Sequence, residues 1–263
     1  MSTPRLSKTR LDRLLVERGL APSREKAQGL ILSGHVLING QKVEKCGGAV
    51  PVDAAVRITG EPLRYVSRAG LKLEAALDHF QMDPRGKLCL DIGASTGGFT
   101  QCLLNRGASG VLAVDVGTNQ LDWKIRSDPR VRSLEQTNAR YLRLEQLGSK
   151  ADLVTMDVSF ISATLILPAL PPLLNAGAGL LVLVKPQFEA GRDQVGGGGI
   201  VRDPEVHRQS VEKVSRKVEA LGFSLLGVAE SVLKGATGNR EFFVAGTLDG
   251  LGISGCNTWR LCP

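Results

Sequence analysis

Two rhythms of apolar residues run along the chain. Near the start, Leu11, Leu14 and Leu15 recur at helical spacing. They predict a helix that follows a cap at Thr9 and stops at Gly19, and a second helix runs from Ser23 to Gly34. The stretch HVLINGQKV (35–43) then gives two short β runs joined by Asn39-Gly40, whose tolerance of positive φ makes it a hairpin signal; residues 54–58 add a further strand. From residue 67 the pattern changes. A helix over 67–80 leads into apolar strand-like runs at 87–92, 111–115, 131–135, 152–157, 179–185, 224–231 and 240–247, with helices between them and one near 204–221. That alternation predicts an α/β fold built on a mostly parallel, doubly wound sheet, with the last strand antiparallel to its neighbour. The chain thus divides into a small α+β domain (1–62), a linker (63–66), a sheet domain (67–247) and an irregular tail (248–263).

One uncharged run, Ser159 to Val184, is long enough to raise the question of a membrane span. Pro168, Pro171, Pro172 and Asn175 interrupt it, so we read it as a buried helix, a turn at Asn175-Ala-Gly and a central strand.

Charge sharpens the division. The 263 residues carry net +7, of which +4 falls on residues 1–62. Arg10, Arg13, Arg18, Arg24 and Lys26 lie on or beside the first two helices, a pattern that suits a phosphate backbone and equally a solvated basic face. Five scattered cysteines without a C-x-x-C pair indicate neither a disulfide framework nor a metal site, and they fit a reducing cytoplasm. The N-terminus has no apolar stretch of the secretory kind.

Candidate chemistry begins at LDIGASTGGFT (90–100), where Asp91 ends an apolar run and a glycine loop follows: Gly93, Ala94, Ser95, Thr96, Gly97, Gly98. A P-loop needs a lysine after its last glycine, and none is present. The dinucleotide fingerprint needs glycine where Ser95 stands, which disfavours NAD or FAD without excluding them. The second strand ends in Asp115, followed by Val116. A carboxylate there suits a ribose diol, although it also suits a helix cap. A cofactor with a ribose and no phosphate needs neither the lysine nor a pyrophosphate turn. S-adenosyl-L-methionine is such a cofactor, and Asp91 can help hold its cationic amino group.

The acceptor is read from other strand ends. MDVSF (156–160) lacks the prolines of the turn used in amino-group methylation of bases, and no cysteine is placed for attack on cytosine C5. An alcohol acceptor needs a base. Lys185, at the tip of the buried strand LLVLV, sits where doubly wound sheets place their sites, and burial disfavours the ammonium form. Lys72, in an otherwise apolar helix, is a candidate second cation; the alternative is a snorkelling side chain. For Lys185 the alternative is a surface lysine. Asp157 and Glu241 flank the same rim and would orient the lysines and the acceptor for an in-line displacement.

Residues 8–60, above all SREKAQGLILSGHVLINGQ, resemble the small RNA-binding module first described in the fourth small-subunit ribosomal protein. Lys72, Asp157, Lys185 and Glu241 resemble the K-D-K-E set of FtsJ-like ribose 2′-O-methyltransferases. With RYVSRAGLKLEAAL, DIGASTGGFT, AVDVGTNQL, TNARYL, DLVTMDVSFIS, LVKPQFEAGRDQVGGGGIVRD and GNREFF, the chain from 5 to 247 resembles the TlyA family, rRNA 2′-O-methyltransferases also called haemolysins. The resemblance implies a Rossmann-like S-adenosylmethionine-dependent sheet with an N-terminal RNA-binding domain. It also implies a cytidine ribose of ribosomal RNA as substrate, in the large subunit or in both. By the same resemblance Asn138 approaches the adenine; otherwise it is a turn residue.

The four glycines 196–199 read as a mobile lid or as a plain connection, and we favour the lid. Phe160 and Phe188 are the first candidates for stacking on a base, or else core. Two rival functions follow from the same residues. One is an RNA-binding protein without catalysis, against which the intact loop and tetrad argue; the other is a membrane-active cytolysin, for which no span or sustained amphipathic basic helix speaks.

Overall fold

A computed structural model describes residues 7–21, 23–32, 34–43, 45–59 and 64–248. The chain divides into two compact units, residues 1–62 and residues 63–263.

In the first unit β1 (Lys8–Arg10), α1 (Leu11–Glu17), α2 (Arg24–Leu32), β2 (Val36–Ile38), β3 (Gln41–Lys42), β4 (Ala49–Pro51) and β5 (Val56–Ile58) follow in order. The predicted hairpin is present: Asn39 and Gly40 take φ of 51° and 82° between β2 and β3, and β5 pairs with the other edge of β2. The second helix begins beside Ser23 as expected, and the Ser23 Oγ accepts from Lys26 N–H at 3.3 Å. Thr9, however, is not a cap. It lies in β1 and pairs with Val50 of β4 in an antiparallel ladder whose polar sequence gives no strand signal. Leu11, Leu14, Leu15, Ala27, Ile31 and Val36 form a common buried core.

The second unit continues with α3 (Ala69–His79), β6 (Leu88–Ile92), α4 (Gly98–Asn105), β7 (Gly110–Val114), α5 (Trp123–Arg126), β8 (Val131–Leu134), α6 (Leu144–Leu147), β9 (Ala151–Met156), β10 (Leu174–Val184), α7 (Pro186–Glu189), α8 (Pro204–Ala220), β11 (Phe223–Glu230) and β12 (Phe242–Leu248). Its sheet has the order β11-β12-β10-β9-β6-β7-β8. β12 alone runs opposite to the other six strands. The chain leaves β6 toward β7 and β8, then returns to place β9 on the other side of β6. The loop after β6 therefore opens at the switch point, where a doubly wound sheet has a crevice.

Three expectations need correction. Tyr65, assigned to a linker, is 4 % exposed and packs with Leu73, Leu77 and Phe99, so it belongs to the sheet unit's core. The buried helix expected before β10 is instead three short 3-10 turns, Ala163–Leu165, Leu167–Ala169 and Pro171–Leu173. Prolines without an N–H tolerate such single turns but not a continuous α-helix. The turn expected at Asn175-Ala-Gly is an irregularity inside β10, whose register against β9 shifts between Leu174 and Gly179. The expected tail lies outside the described residues beyond Leu248. No helix among the described residues is long and apolar enough to cross a membrane.

Candidate active site

The sheet's two-residue alternation decides which side chains meet. In β10, Leu180, Val182 and Val184 join the core layer that includes Val214 and Val218 of α8, while Leu181 and Leu183 join the layer under α3 and α4. Leu153 and Phe243 lie in that second layer too. Continuing the alternation past each strand end puts Asp157, Lys185 and Glu241 on the α3/α4 face. The antiparallel pairing of Val184 with Phe242 makes Lys185 and Glu241 neighbours across two strand ends.

Two ion pairs form there. Lys72 rises from α3 and is only 8 % exposed; its Nζ lies 2.5 Å from Oε2 of buried Glu241. Lys185 Nζ lies 2.5 Å from Asp157 Oδ1, and its hydrogen bond goes to Ser159 Oγ at 2.9 Å. Neither lysine is a surface side chain, which removes the snorkelling and strand-end alternatives. Charges held this far from water are tolerated only when paired, so each carboxylate fixes its lysine in place.

The glycine loop is built against the same rim. Gly93 has φ of 81°, and a Cβ there would stand 2.3 Å from the Asp157 carbonyl oxygen, so only glycine lets the loop pass this close to the β9 end. Ser95 takes φ of 47° and donates its N–H to Asp115 Oδ2 at 2.8 Å. Oδ1 of Asp115 accepts from Gly117 N–H at 2.8 Å in an Asx turn, so this carboxylate organises both loops and starts no regular helix. Each of its oxygens keeps a lone pair, and Val116 beside it is 70 % exposed. Ala94 is buried, the Thr96 carbonyl accepts from Asp122 N–H at 3.2 Å, and left-handed Gly97 turns the chain into α4 at Gly98.

Asp91 is fully buried inside β6. Thr100 Oγ1 donates to its Oδ2 at 2.7 Å and Thr155 Oγ1 to its Oδ1 at 3.1 Å. Burial outweighs both bonds and pushes this carboxyl up to about 7. A cation delivered to the switch point would reverse that effect. Asn138 is exposed and caps the turn Ala139–Tyr141 by accepting from Arg140 N–H at 3.1 Å. The lone pairs that Asp115 keeps beside a glycine loop without a phosphate lysine suit a ribose, and this fits S-adenosylmethionine. Among the described residues no group of three His, Cys, Asp or Glu is placed to hold a metal ion.

Beyond the rim, Phe160 is 92 % exposed with φ of 64°, and its ring centre lies 5.2 Å from that of Phe188. It is not core. The exposed glycine segment 196–199 is tied down at its far end by Asn239, which is 1 % exposed. Asn239 Oδ1 accepts from Val201 N–H at 2.9 Å and its Nδ2 donates to the Gly199 carbonyl at 2.8 Å.

The basic residues of the first unit are not equivalent. Asp12 is fully buried and accepts from Arg10 Nε, Arg24 and Gln28 at 3.0, 3.1 and 2.9 Å, which holds its carboxyl well below the usual range. Arg13 pairs with Glu17 on the α1 surface at 2.7 Å. Arg18 donates to the carbonyls of Val52 and Ala54, and so fastens α1 to the loop after β4. Lys26 is exposed on α2. Sequence reasoning missed Asp12, Ser159, Asn239 and Glu189, the last a carboxylate buried behind the Ser159 loop. DVSF and KPQFE set a polar residue a few places past each rim charge, which is the only local sign of Ser159 and Glu189.

The sequence matches the FtsJ-like methyltransferase family over residues 65–248 and the S4 domain over residues 9–47. It is 48 % identical over 238 residues to the 16S/23S rRNA (cytidine-2′-O)-methyltransferase TlyA of Mycobacterium tuberculosis, covering 90 % of this chain and 89 % of that protein. It is 42 % identical over 234 residues to hemolysin A of Brachyspira hyodysenteriae, covering 89 % and 97 %. Among solved structures, a candidate hemolysin from Streptococcus thermophilus superposes with a TM-score of 0.74 at 44 % identity, covering 94 % of this chain and 90 % of that one.

Proposed function

We propose, for a chain that belongs to the TlyA family of FtsJ-like methyltransferases, that it methylates the 2′-hydroxyl of a cytidine ribose in ribosomal RNA, with S-adenosyl-L-methionine as donor. The observation that carries the reading is the pair of buried ion pairs, Lys72–Glu241 and Lys185–Asp157, beside a glycine loop without a phosphate lysine. The donor supplies an electrophilic methyl group on a sulfonium.

The chain's own residues do the rest. Lys185 would take the proton of the 2′-hydroxyl at Nζ as the bond from that oxygen to the methyl formed and the sulfonium S–methyl bond broke, and Asp157 would stabilise the ammonium that results. Ser159 holds Nζ in line through its hydroxyl. Glu241 and Lys72 fix the far side of the acceptor position. Asp115 and Val116 hold the ribose and base of the donor, Asp91 its ammonium, and the glycine loop its amino acid portion. Phe160 stacks on the target base or its neighbour. The first unit binds folded rRNA through Arg13, Lys26 and the outer faces of Arg10 and Arg24. An enzyme of this kind works in the cytoplasm, where ribosomal subunits are made.

Incubation with labelled donor and isolated ribosomal subunits, followed by mapping of ribose methylation by primer extension at low nucleotide, tests this. Transfer to a cytidine 2′-oxygen is the expected result. Absence of transfer to either subunit and to free rRNA would sink the enzymatic reading and leave an RNA-binding protein.

A further inference from the structure

Four residues beyond Lys185, Glu189 closes α7 with a side chain that is 2 % exposed. Ser162 Oγ donates to its Oε2 at 2.5 Å and Ala163 N–H to its Oε1 at 2.6 Å. Both donors end the loop that follows Asp157 and carries Ser159 and Phe160. Lys213 of α8 completes the arrangement, its Nζ 3.3 Å from Oε2 and donating to the Glu189 carbonyl at 2.8 Å. One buried carboxylate therefore joins three elements: the segment after β10, the loop after β9, and α8.

None of these contacts touches the reacting atoms, yet they bear on them. Ser159 can accept from Lys185 only if the loop after β9 is held at the right distance from the segment after β10. Phe160 has a left-handed backbone that its own side chain does little to secure, since the residue is 92 % exposed and its ring meets Phe188 at 5.2 Å between centres. A strained residue with so little packing persists only where its surroundings over-determine it. Two and three residues along the chain, the Ser162 and Ala163 bonds supply that restraint.

We propose that Glu189 is a positioning residue, which fixes the Ser159–Phe160 loop against Lys185 and so sets where the acceptor nucleoside sits. The effect on turnover rests on the methyltransferase reading above; the effect on the loop does not. Its removal should loosen the loop and lower turnover while leaving the donor site intact.

The full-length protein tests both parts with Glu189→Ala, Glu189→Gln, Ser162→Ala and, as a destabilising control, Val218→Ala in the α8 core. By hydrogen exchange, Glu189→Ala should speed the amides of 159–163 by roughly tenfold or more, with those of 180–184 unchanged. Against rRNA its kcat should fall about tenfold or more, while the donor Kd measured by calorimetry stays near wild type. Glu189→Gln, which still accepts from Ala163, should recover part of both effects, and Val218→Ala should lower the melting temperature without the kcat loss. Should Glu189→Ala not fold, the glutamine and Ser162→Ala variants carry the comparison. Wild-type exchange at 159–163 in these variants overturns the proposal. So does wild-type turnover by variants whose loop has loosened. If wild-type protein methylates no rRNA, the functional reading falls, and hydrogen exchange still decides the role of Glu189 in the loop.

Discussion

Lys185 meets Asp157 and Ser159 at once, at 2.5 and 2.9 Å, although the two partners lie two residues apart on the loop that leaves β9. The carboxylate supplies charge and the hydroxyl supplies direction. A lysine so held is oriented before any acceptor arrives, which lowers the cost of aligning it in the transition state.

Lys185→Met keeps most of the side chain's length and removes the base. We expect kcat to fall by about 10³-fold, within the range for loss of a general base, with donor Kd in calorimetry changed little. Turnover within tenfold of wild type would show that the proton leaves by another route.

Asp91 makes donor binding a pH-dependent event. Its carboxyl is raised to about 7 by burial, so near neutral pH a large fraction of the donor-free protein carries the proton there. An ammonium beside it lowers that value again, and binding should release protons. Calorimetry in buffers of different ionisation enthalpy should detect a fractional proton released per donor bound near pH 7, absent in Asp91→Asn. The sign for stability is the reverse of a salt-bridged aspartate. The folded state holds this proton more tightly than the unfolded chain does, so this group's contribution is greatest below about pH 4 and is lost as the pH rises toward 7. The Asn variant should lose that slope in thermal melts.

Phe160→Ala should leave the melting temperature unchanged, because an almost wholly exposed ring has little packing to lose. Stacking on a base is worth about 1–3 kcal/mol, so the KM for rRNA should rise roughly 5- to 150-fold. Phe160→Trp should restore it. An unchanged KM in the alanine variant would remove the ring from RNA recognition.

The basic residues of the first unit should separate into two kinds. Arg13→Ala ought to weaken rRNA binding and lower the slope of log K against log salt by about one, without affecting the fold. Arg18→Ala removes the donor to the Val52 and Ala54 carbonyls and should lower the melting temperature as well. Filter binding across a salt series, with melts of the same samples, distinguishes them; equal behaviour of the two variants would refute the division.

How much of this could be read from residues alone follows from the range of each interaction. The sheet strands, the hairpin at Asn39-Gly40 and the rim positions of Asp157, Lys185 and Glu241 were legible because a two-residue period and a turn signal are local. The 3-10 turns before β10 were hidden because Pro168, Pro171 and Pro172 forbid a helix without saying what replaces it. Strand β1 was hidden for another reason: Lys8, Thr9 and Arg10 have no strand pattern and are drawn into one by Ala49–Pro51, some forty residues on. Glu189 and Asp12 were invisible as anchors, since a carboxylate in a sequence does not announce that it is buried and surrounded by donors. Pairings within the tetrad were likewise open. Which lysine takes which carboxylate depends on α3 lying over β12, a tertiary relationship.

The alternation that turns Asp157, Lys185 and Glu241 to one face has a consequence for how such a site can be lost. Deleting or inserting one residue within β9, β10 or β12 would leave every charged side chain in the sequence and send one of them to the opposite layer, among Leu180, Val182 and Val184 or their equivalents. Descendants of this chain can therefore keep all four letters of the tetrad and still be inactive. Counting residues between landmarks, odd or even, is then a better guide to a working copy than the identity of the residues themselves.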